Sequence, residues 1–246
     1  MPKVICISQA RMGSSRLPGK VLAMINGKPM LEYHVSRVHE STLIDHHIIA
    51  TTDSERDHPI VDFCIENNHL FFCGNEDDVL SRFYLAALQL NAQPEDIIIR
   101  LTADCPLVSG QLIDETVLMH LKGASNQYTH VSLDYFPRGF DVEVFSMENL
   151  TKAYNFATKP AEREHVTLYL YSQPNMTIVP IESGDVKWSQ YRLCVDEADD
   201  LELINQLINK LGKDWLHSSP EKICNLLASH PEIALLNSGV IQKTVH

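Results

Sequence analysis

The chain has 246 residues, 44% hydrophobic and 21% charged, with a net charge of −12. That is the composition of an ordinary globular protein long enough to bury a sizeable core. The acidic balance excludes general affinity for nucleic acid or anionic membrane, which needs a basic surface; no run of about 18 apolar residues and no leader-like segment appears, so a cytoplasmic protein is expected.

In chain order, strand and helix patterns alternate. Residues 3–8, KVICIS, read as a buried strand and 30–41 have helical spacing. Residues 46–52 are strand-like, 59–68 helical, 69–73 strand-like, and 76–90 form an amphipathic helix with acidic residues in its first turn. Another buried strand is expected at 96–102 and a helix at 111–121. Apolar strands separated by helices predict an α/β fold, a mostly parallel sheet with helices on both faces.

The second half changes character. Residues 128–146 alternate in short runs around Pro137 and Gly139, as a hairpin lobe inserted over the sheet would. Residues 160–173 should be helical from Pro160, which suits a first helical turn. Strands are expected at 176–181 and 190–196, a helix ended by Gly212 at 199–212, and a last helix at 220–230. The tail beyond Pro231 is expected to be loosely held. The partition is one domain, 1–246, with a core of about 3–212, a substrate or dimerisation lobe at about 127–172, and a C-terminal helix and tail at 213–246.

Ligands of open α/β sheets sit beyond the carboxyl ends of the strands. The loop QARMGSSRLPGK, Gln9 to Lys20, follows the first apolar run at such an end. It narrowly misses the Walker A pattern: five residues rather than four separate Gly13 from Gly19-Lys20, and Val21 replaces the metal-binding Ser or Thr. It also lacks GxGxxG. What it offers is glycines, backbone N–H groups and three cations, Arg11, Arg16 and Lys20, which suit a polyphosphate.

Metal ligands must then come from elsewhere. Asp104, in RLTADCPLV, falls just past a strand end, and Asp196, in YRLCVDEADD, ends a late strand-like run. Two carboxylates meeting at one sheet edge suit Mg²⁺ held against phosphates. Asp199 and Asp200 read as cap and first-turn residues of the next helix. The six cysteines are scattered, without a CxxC pair, and read as buried free thiols. Cys105 is the exception to watch, because it stands in a site-like loop.

Together these segments resemble the cytidylyltransferase family that activates acidic sugars and related acceptors with CTP, most closely its SpsF-like branch. ISQARMGSSRLPGKVL, followed by NGKPMLEY, is similar to that family's opening. NEDDVLSRFYLAA, RLTADCPLV, PRGFDVEVFS, EREHVTLYLY and RLCVDEADDLEL match its later blocks in order, over roughly residues 3–210. The resemblance implies a Rossmann-like, GT-A-like nucleotidyltransferase fold, Mg²⁺ dependence and pyrophosphate release. It implies that Ala10, Arg11, Gly13, Ser14, Arg16 and Lys20 contact CTP, that Arg82 reads the base, and that Asp104 and Asp196 hold Mg²⁺. Arg11, Arg16, Lys20, Asp104 and Asp196 form the catalytic set on this reading. Arg138, Asp141, Glu143, Arg163, Glu164 and His165 would line the acceptor side, and a homodimer is a further expectation.

One departure stands out: Gln9 precedes Ala10 where activators of sialic acid and Kdo commonly read IPAR. The nearest alternative is a sugar-1-phosphate nucleotidyltransferase using another NTP, whose GxGxR opening is absent here. A non-catalytic nucleotide-binding protein is the alternative outside enzymes, and intact Lys20, Asp104 and Asp196 speak against it.

Overall fold

The computed structural model describes residues 2–123 and 126–242. Its strands are β1 (Val4–Gln9), β2 (Met24–Ile25), β3 (Lys28–Pro29), β4 (His46–Thr52), β5 (Leu70–Gly74), β6 (Ile97–Thr102), β7 (Gln127–Val131), β8 (Glu143–Ser146) and β9 (Thr177–Ile181). Its main helices are α1 (Met30–Val38), α2 (His58–Glu66), α3 (Val79–Gln89), α4 (Gly110–Leu121) and α5 (Met147–Phe156). The short α6 (Pro160–Glu164) and α7 (Leu168–Tyr171) follow, then α8 (Ala198–Leu211), α9 (Pro220–Ser229) and α10 (Pro231–Ala234).

Seven strands form one sheet in the order β5-β4-β1-β6-β8-β7-β9. β8 runs antiparallel to β6 and β7, and every other neighbouring pair is parallel. β2 and β3 form a separate two-stranded hairpin. Alternate residues of the central strands feed two cores. Val4 and Cys6 of β1, with Ile97 and Ile99 of β6, pack under α1, α4, α8 and α9. Ile5, Ile7 and Ile98 pack under α3 and α5 on the opposite face. Period-two side-chain alternation in a doubly covered sheet requires this division.

The α/β architecture matches expectation, while several details differ. Residues 127–146 do not sit over the sheet as a lobe. β8 pairs with both β6 and β7 inside the sheet, and nearly all of its residues and those of β7 are buried. The small hairpin is β2–β3 instead. Residues 190–196 are not a strand: Arg192 makes one isolated bridge with Arg138, and the Leu193 and Val195 amides donate to Arg138 and Asp104 carbonyls at 2.7 and 2.8 Å. The helix expected over 160–173 is split between α6 and α7 by Val166, whose φ of 46° is non-helical. The tail is held as well. α10 buries Ile233, and the Asn237 amide donates to the Arg192 carbonyl and to Asp200 at 3.0 and 2.8 Å. No helix among the described residues is long and apolar enough to cross a membrane.

One buried cation ties distant segments together. Arg37 on α1 is 2% exposed. Its guanidinium donates to the carbonyls of Leu107 and Val108 after β6, and to those of Trp215, Leu216 and Ser218 before α9. Burial lowers its pKa to about 10, only partly opposed by the Glu40 charge. Arg37→Met is expected to leave these carbonyls unpaired and cost about 3 kcal/mol or more in urea unfolding. An unchanged unfolding midpoint would show that the carbonyls find other partners.

Candidate active site

β4 and β5 lie to one side of β1 and β6 to the other, so connections diverge at the carboxyl ends of β1 and β6. Such a switch point leaves a crevice. A cavity of about 240 Å³ opens there. Of the residues expected to bind nucleotide, Ala10, Arg11, Ser14, Arg16, Lys20, Arg82 and Asp104 line it, as does Asp196. From the acceptor set, Glu164 and His165 line it.

The opening loop folds around Met12. The Ser14 and Gly19 amides both donate to its carbonyl at 2.9 Å, and Gly19 adopts a φ of 74° that favours glycine. The Met12 amide in turn donates to Asp57 Oδ1 at 2.6 Å; Asp57 is fully buried and also accepts from the Thr52 hydroxyl. Gly13 is not in the cavity wall. The Arg56 guanidinium lies against the place where a Cβ on Gly13 would stand.

Lys20 occupies the centre. The residue is 8% exposed, and its ammonium donates to Asp104 Oδ2 at 2.8 Å, Asp196 Oδ1 at 2.8 Å and the Val195 carbonyl at 2.7 Å. All three N–H groups are used. Burial alone disfavours the charge, but the two carboxylates outweigh it and raise the pKa above the ordinary lysine value. Burial likewise opposes ionisation of Asp104 and Asp196, yet Lys20 holds both below the usual carboxylate range. Asp196 also meets Arg16 at 2.8 Å and Arg192. Asp200 supports this arrangement by accepting from the Asp196 and Glu197 amides and from Arg192 Nε. The helix cap is thus a Glu197–Asp200 capping box, with Asp199 in the first turn.

Three buried side-chain atoms in cavity-lining residues have no partner among the described residues: Gln9 Oε1, Arg82 Nε and Arg100 Nε. Native structures pair nearly all such atoms, and these three belong to residues of one cavity's wall. Arg100 was not singled out from the sequence. Its Nη1 donates to both Glu143 oxygens at 3.0 and 2.9 Å, and Glu143 also accepts from Thr167. A cation inside the apolar run IIIRLT was the available signal. Asp57 carried none.

The remaining acceptor-side expectations lie outside the cavity wall. Arg138 pairs with Asp141 at 3.3 Å, and Asp141 also accepts from the Gly139 amide. Glu143 serves Arg100. Arg163 pairs with Asp78, the N-cap of α3, and donates to the Tyr154 carbonyl. Arg163 thereby docks α6 against α3, and the next two residues reach the cavity.

A family model described as Cytidylyltransferase matches residues 5–223. The chain belongs to the cytidylyltransferase family. It is 34% identical to the spore coat polysaccharide biosynthesis protein SpsF of Bacillus subtilis, over 95% of this chain and 98% of that protein. It is 36% identical to an uncharacterized protein of Methanocaldococcus jannaschii, over 98% of this chain and 97% of that one. The solved structure of a cytidylyltransferase from Leptospira borgpetersenii is similar over the whole of both chains, with a TM-score of 0.88 at 27% identity. The family read from the motif blocks is therefore right, and the sheet is that of a nucleotidyltransferase.

In this member of the family a buried polar relay underlies the Asp104 loop. His34 is fully buried, and its Nδ1 lies 2.9 Å from the Cys105 carbonyl, which only a protonated Nδ1 satisfies. Its Nε2 is then left to accept from the Ser8 hydroxyl at 2.7 Å. Burial lowers the pKa of His34 from 6.5 to about 4. Between these values the unfolded chain binds a proton that the folded chain refuses. Stability from this residue is complete above pH 6.5 and is lost as pH falls toward 4, by about 3 kcal/mol. His34→Gln should flatten that part of the urea-unfolding profile; a variant curve as steep as wild type would count against the assignment.

Proposed function

We propose that the protein transfers CMP from CTP to an acidic sugar, or to a phosphate- or phosphonate-bearing acceptor, with release of pyrophosphate, in the making of surface polysaccharide or glycoconjugate precursors. The observation that carries this reading is the convergence of Lys20, Asp104 and Asp196 at a cavity edged by Arg11 and Arg16. Family membership supports the reaction class, and the name of the SpsF relative supports the polysaccharide setting. CTP as substrate fits a cytoplasmic enzyme.

Asp104 and Asp196 suit a hard divalent cation, because both already direct a carboxylate oxygen at one cation, the Lys20 ammonium. Mg²⁺ held by these two residues would neutralise phosphate charge and polarise the reacting phosphoryl group. Arg11, Arg16 and Lys20 supply the remaining positive charge for the triphosphate, most of all where it accumulates on the departing pyrophosphate. Arg82 and Gln9 both line the cavity and carry one unpartnered donor, Nε–H, and one unpartnered acceptor, Oε1. Cytosine presents a carbonyl and an exocyclic amino group that complement such a pair.

The acceptor oxygen forms a bond to the α-phosphorus as the bond to the β-phosphate oxygen breaks, and the chain's task is alignment. A carboxylate or phosphate oxygen arrives deprotonated. A hydroxyl acceptor would give its proton to His165 or Glu164 at the cavity wall.

Pyrophosphate release with CTP and a panel of acidic acceptors tests this. Lys20→Ala should lower turnover ~10²-fold or more, and Asp104→Asn should abolish the Mg²⁺-dependent rate while circular dichroism stays unchanged. Wild-type rates in both variants would sink the site assignment. Faster release with UTP, GTP or dTTP would favour a sugar-1-phosphate nucleotidyltransferase; CTP binding without release for any acceptor would favour a nucleotide-binding protein.

A further inference from the structure

Asp104 has a second neighbourhood. Its Oδ2 is engaged by Lys20, while its Oδ1 lies 3.6 Å from the Cys105 thiol. Cys194 approaches the same point from the segment that carries Asp196. One carboxylate oxygen and the two sulfurs lie within 4.8 Å of one another, the one such trio of His, Cys, Asp or Glu ligand atoms among the described residues. Cys105 and Cys194 are 3% and 8% exposed and both are free thiols.

The backbone holds this trio together. The Val195 amide donates to the Asp104 carbonyl at 2.8 Å, fastening the two thiol-bearing segments side by side. The Thr102 hydroxyl lies 3.3 Å from Cys105 Sγ and steadies it from the end of β6. Asp104 itself lines the cavity.

We propose that Asp104, Cys105 and Cys194 form a binding site for a thiophilic divalent cation of the Zn²⁺ class, adjacent to the Asp104–Asp196 carboxylate pair and different from it in chemistry. Two sulfurs and one oxygen, with a fourth position left for water, are a donor set for tetrahedral zinc; hard cations such as Mg²⁺ reject it. The spacing agrees. Zn–S and Zn–O bonds of about 2.3 and 2.0 Å at tetrahedral angles require sulfur and oxygen about 3.5 Å apart, against 3.6 Å between Cys105 and Asp104.

Charge favours the site too. Binding displaces the two thiol protons to solvent, so a divalent ion enters with no change in net charge. Lys20 can therefore stay on Oδ2. An ion on Oδ1 would fix both carboxylate-bearing segments in one arrangement and restrain the proposed transfer. That consequence rests on the cytidylyltransferase reading, whereas the site does not.

Cobalt(II) is the probe. Titrating the full-length protein with Co²⁺ in a thiol-free, oxygen-free buffer should develop a near-ultraviolet thiolate-to-cobalt charge-transfer band, with the intense visible bands of tetrahedral cobalt, saturating at one equivalent. Zn²⁺ should bleach both stoichiometrically and excess Mg²⁺ should not. Cys105→Ser and Cys194→Ser should each lose most of the charge-transfer intensity, while Cys73→Ser, which alters the exposed thiol, should keep it. Should either serine variant fail to fold, Asp104→Asn supplies the check: the charge-transfer band, which only the thiolate site gives, should need about tenfold or more Co²⁺ to develop. No band in the wild type, an undiminished band in the folded serine variants, a band that develops in Asp104→Asn at the wild-type Co²⁺ concentration, or loss of the band in Cys73→Ser would overturn the assignment.

Discussion

The site depends on a lysine ammonium buried between two carboxylates. Lys20 comes from the loop after β1, Asp104 from the loop after β6 and Asp196 from the segment before α8, so one cation joins three parts of the chain. Burying a charge is costly unless its partners and remaining hydrogen bonds are supplied. Here the Val195 carbonyl takes the third N–H, and Arg16 and Arg192 balance the outer oxygen of Asp196. The cluster is therefore close to electrically neutral before any ligand arrives. A triphosphate alone would upset that balance more than a triphosphate arriving with its divalent cation.

The sheet sets where this can happen. β1 and β6 are parallel neighbours whose chains diverge at their carboxyl ends, and Gln9–Ala10 and Thr102–Asp104 emerge side by side there. The antiparallel insertion of β8 adds a second feature. It places Glu143 directly across from Arg100, and that pair forms the polar ground beneath the end of the cavity near Glu164 and His165. Arg37 and His34, both on α1, brace the loop after β6 from below through its carbonyls. The loop's rigidity is thus obtained from buried side-chain donors, because loop carbonyls away from water need partners.

Much of this was legible in the residues. Lys20, Arg11, Arg16 and Asp104 stand where charge breaks off a fully apolar run, and such breaks mark strand ends. The misreadings have physical reasons as well. Leu193, Cys194 and Val195 form a continuous apolar run, buried at 1%, 8% and 0% exposure, which looks like a strand. They reach the core with single backbone bonds to remote segments, Leu193 to Arg138 and Val195 to Asp104, rather than in a strand ladder. Residues 128–146 looked peripheral because Pro137 and Gly139 sit between their apolar runs, yet those residues only form the connection between β7 and β8. Arg138 and Asp141 pair with each other and Arg163 with Asp78, and none of the three lines this cavity.

By itself the sequence determined the alternating α/β pattern, the family, and the cation-rich loop with its two distant carboxylates, because periodicity, strand-end charge and motif order are all local properties. Which charges actually meet was decided by the tertiary structure. Lys20 lies 84 residues from Asp104 and 176 from Asp196 in sequence, and nothing local says that its ammonium will sit between them. The same holds for Arg100 against Glu143, Asp57 beneath the opening loop, and Cys194 beside Cys105. Each pairing depends on strand order and on backbone bonds between remote segments, and those exist only once the sheet has closed around its core.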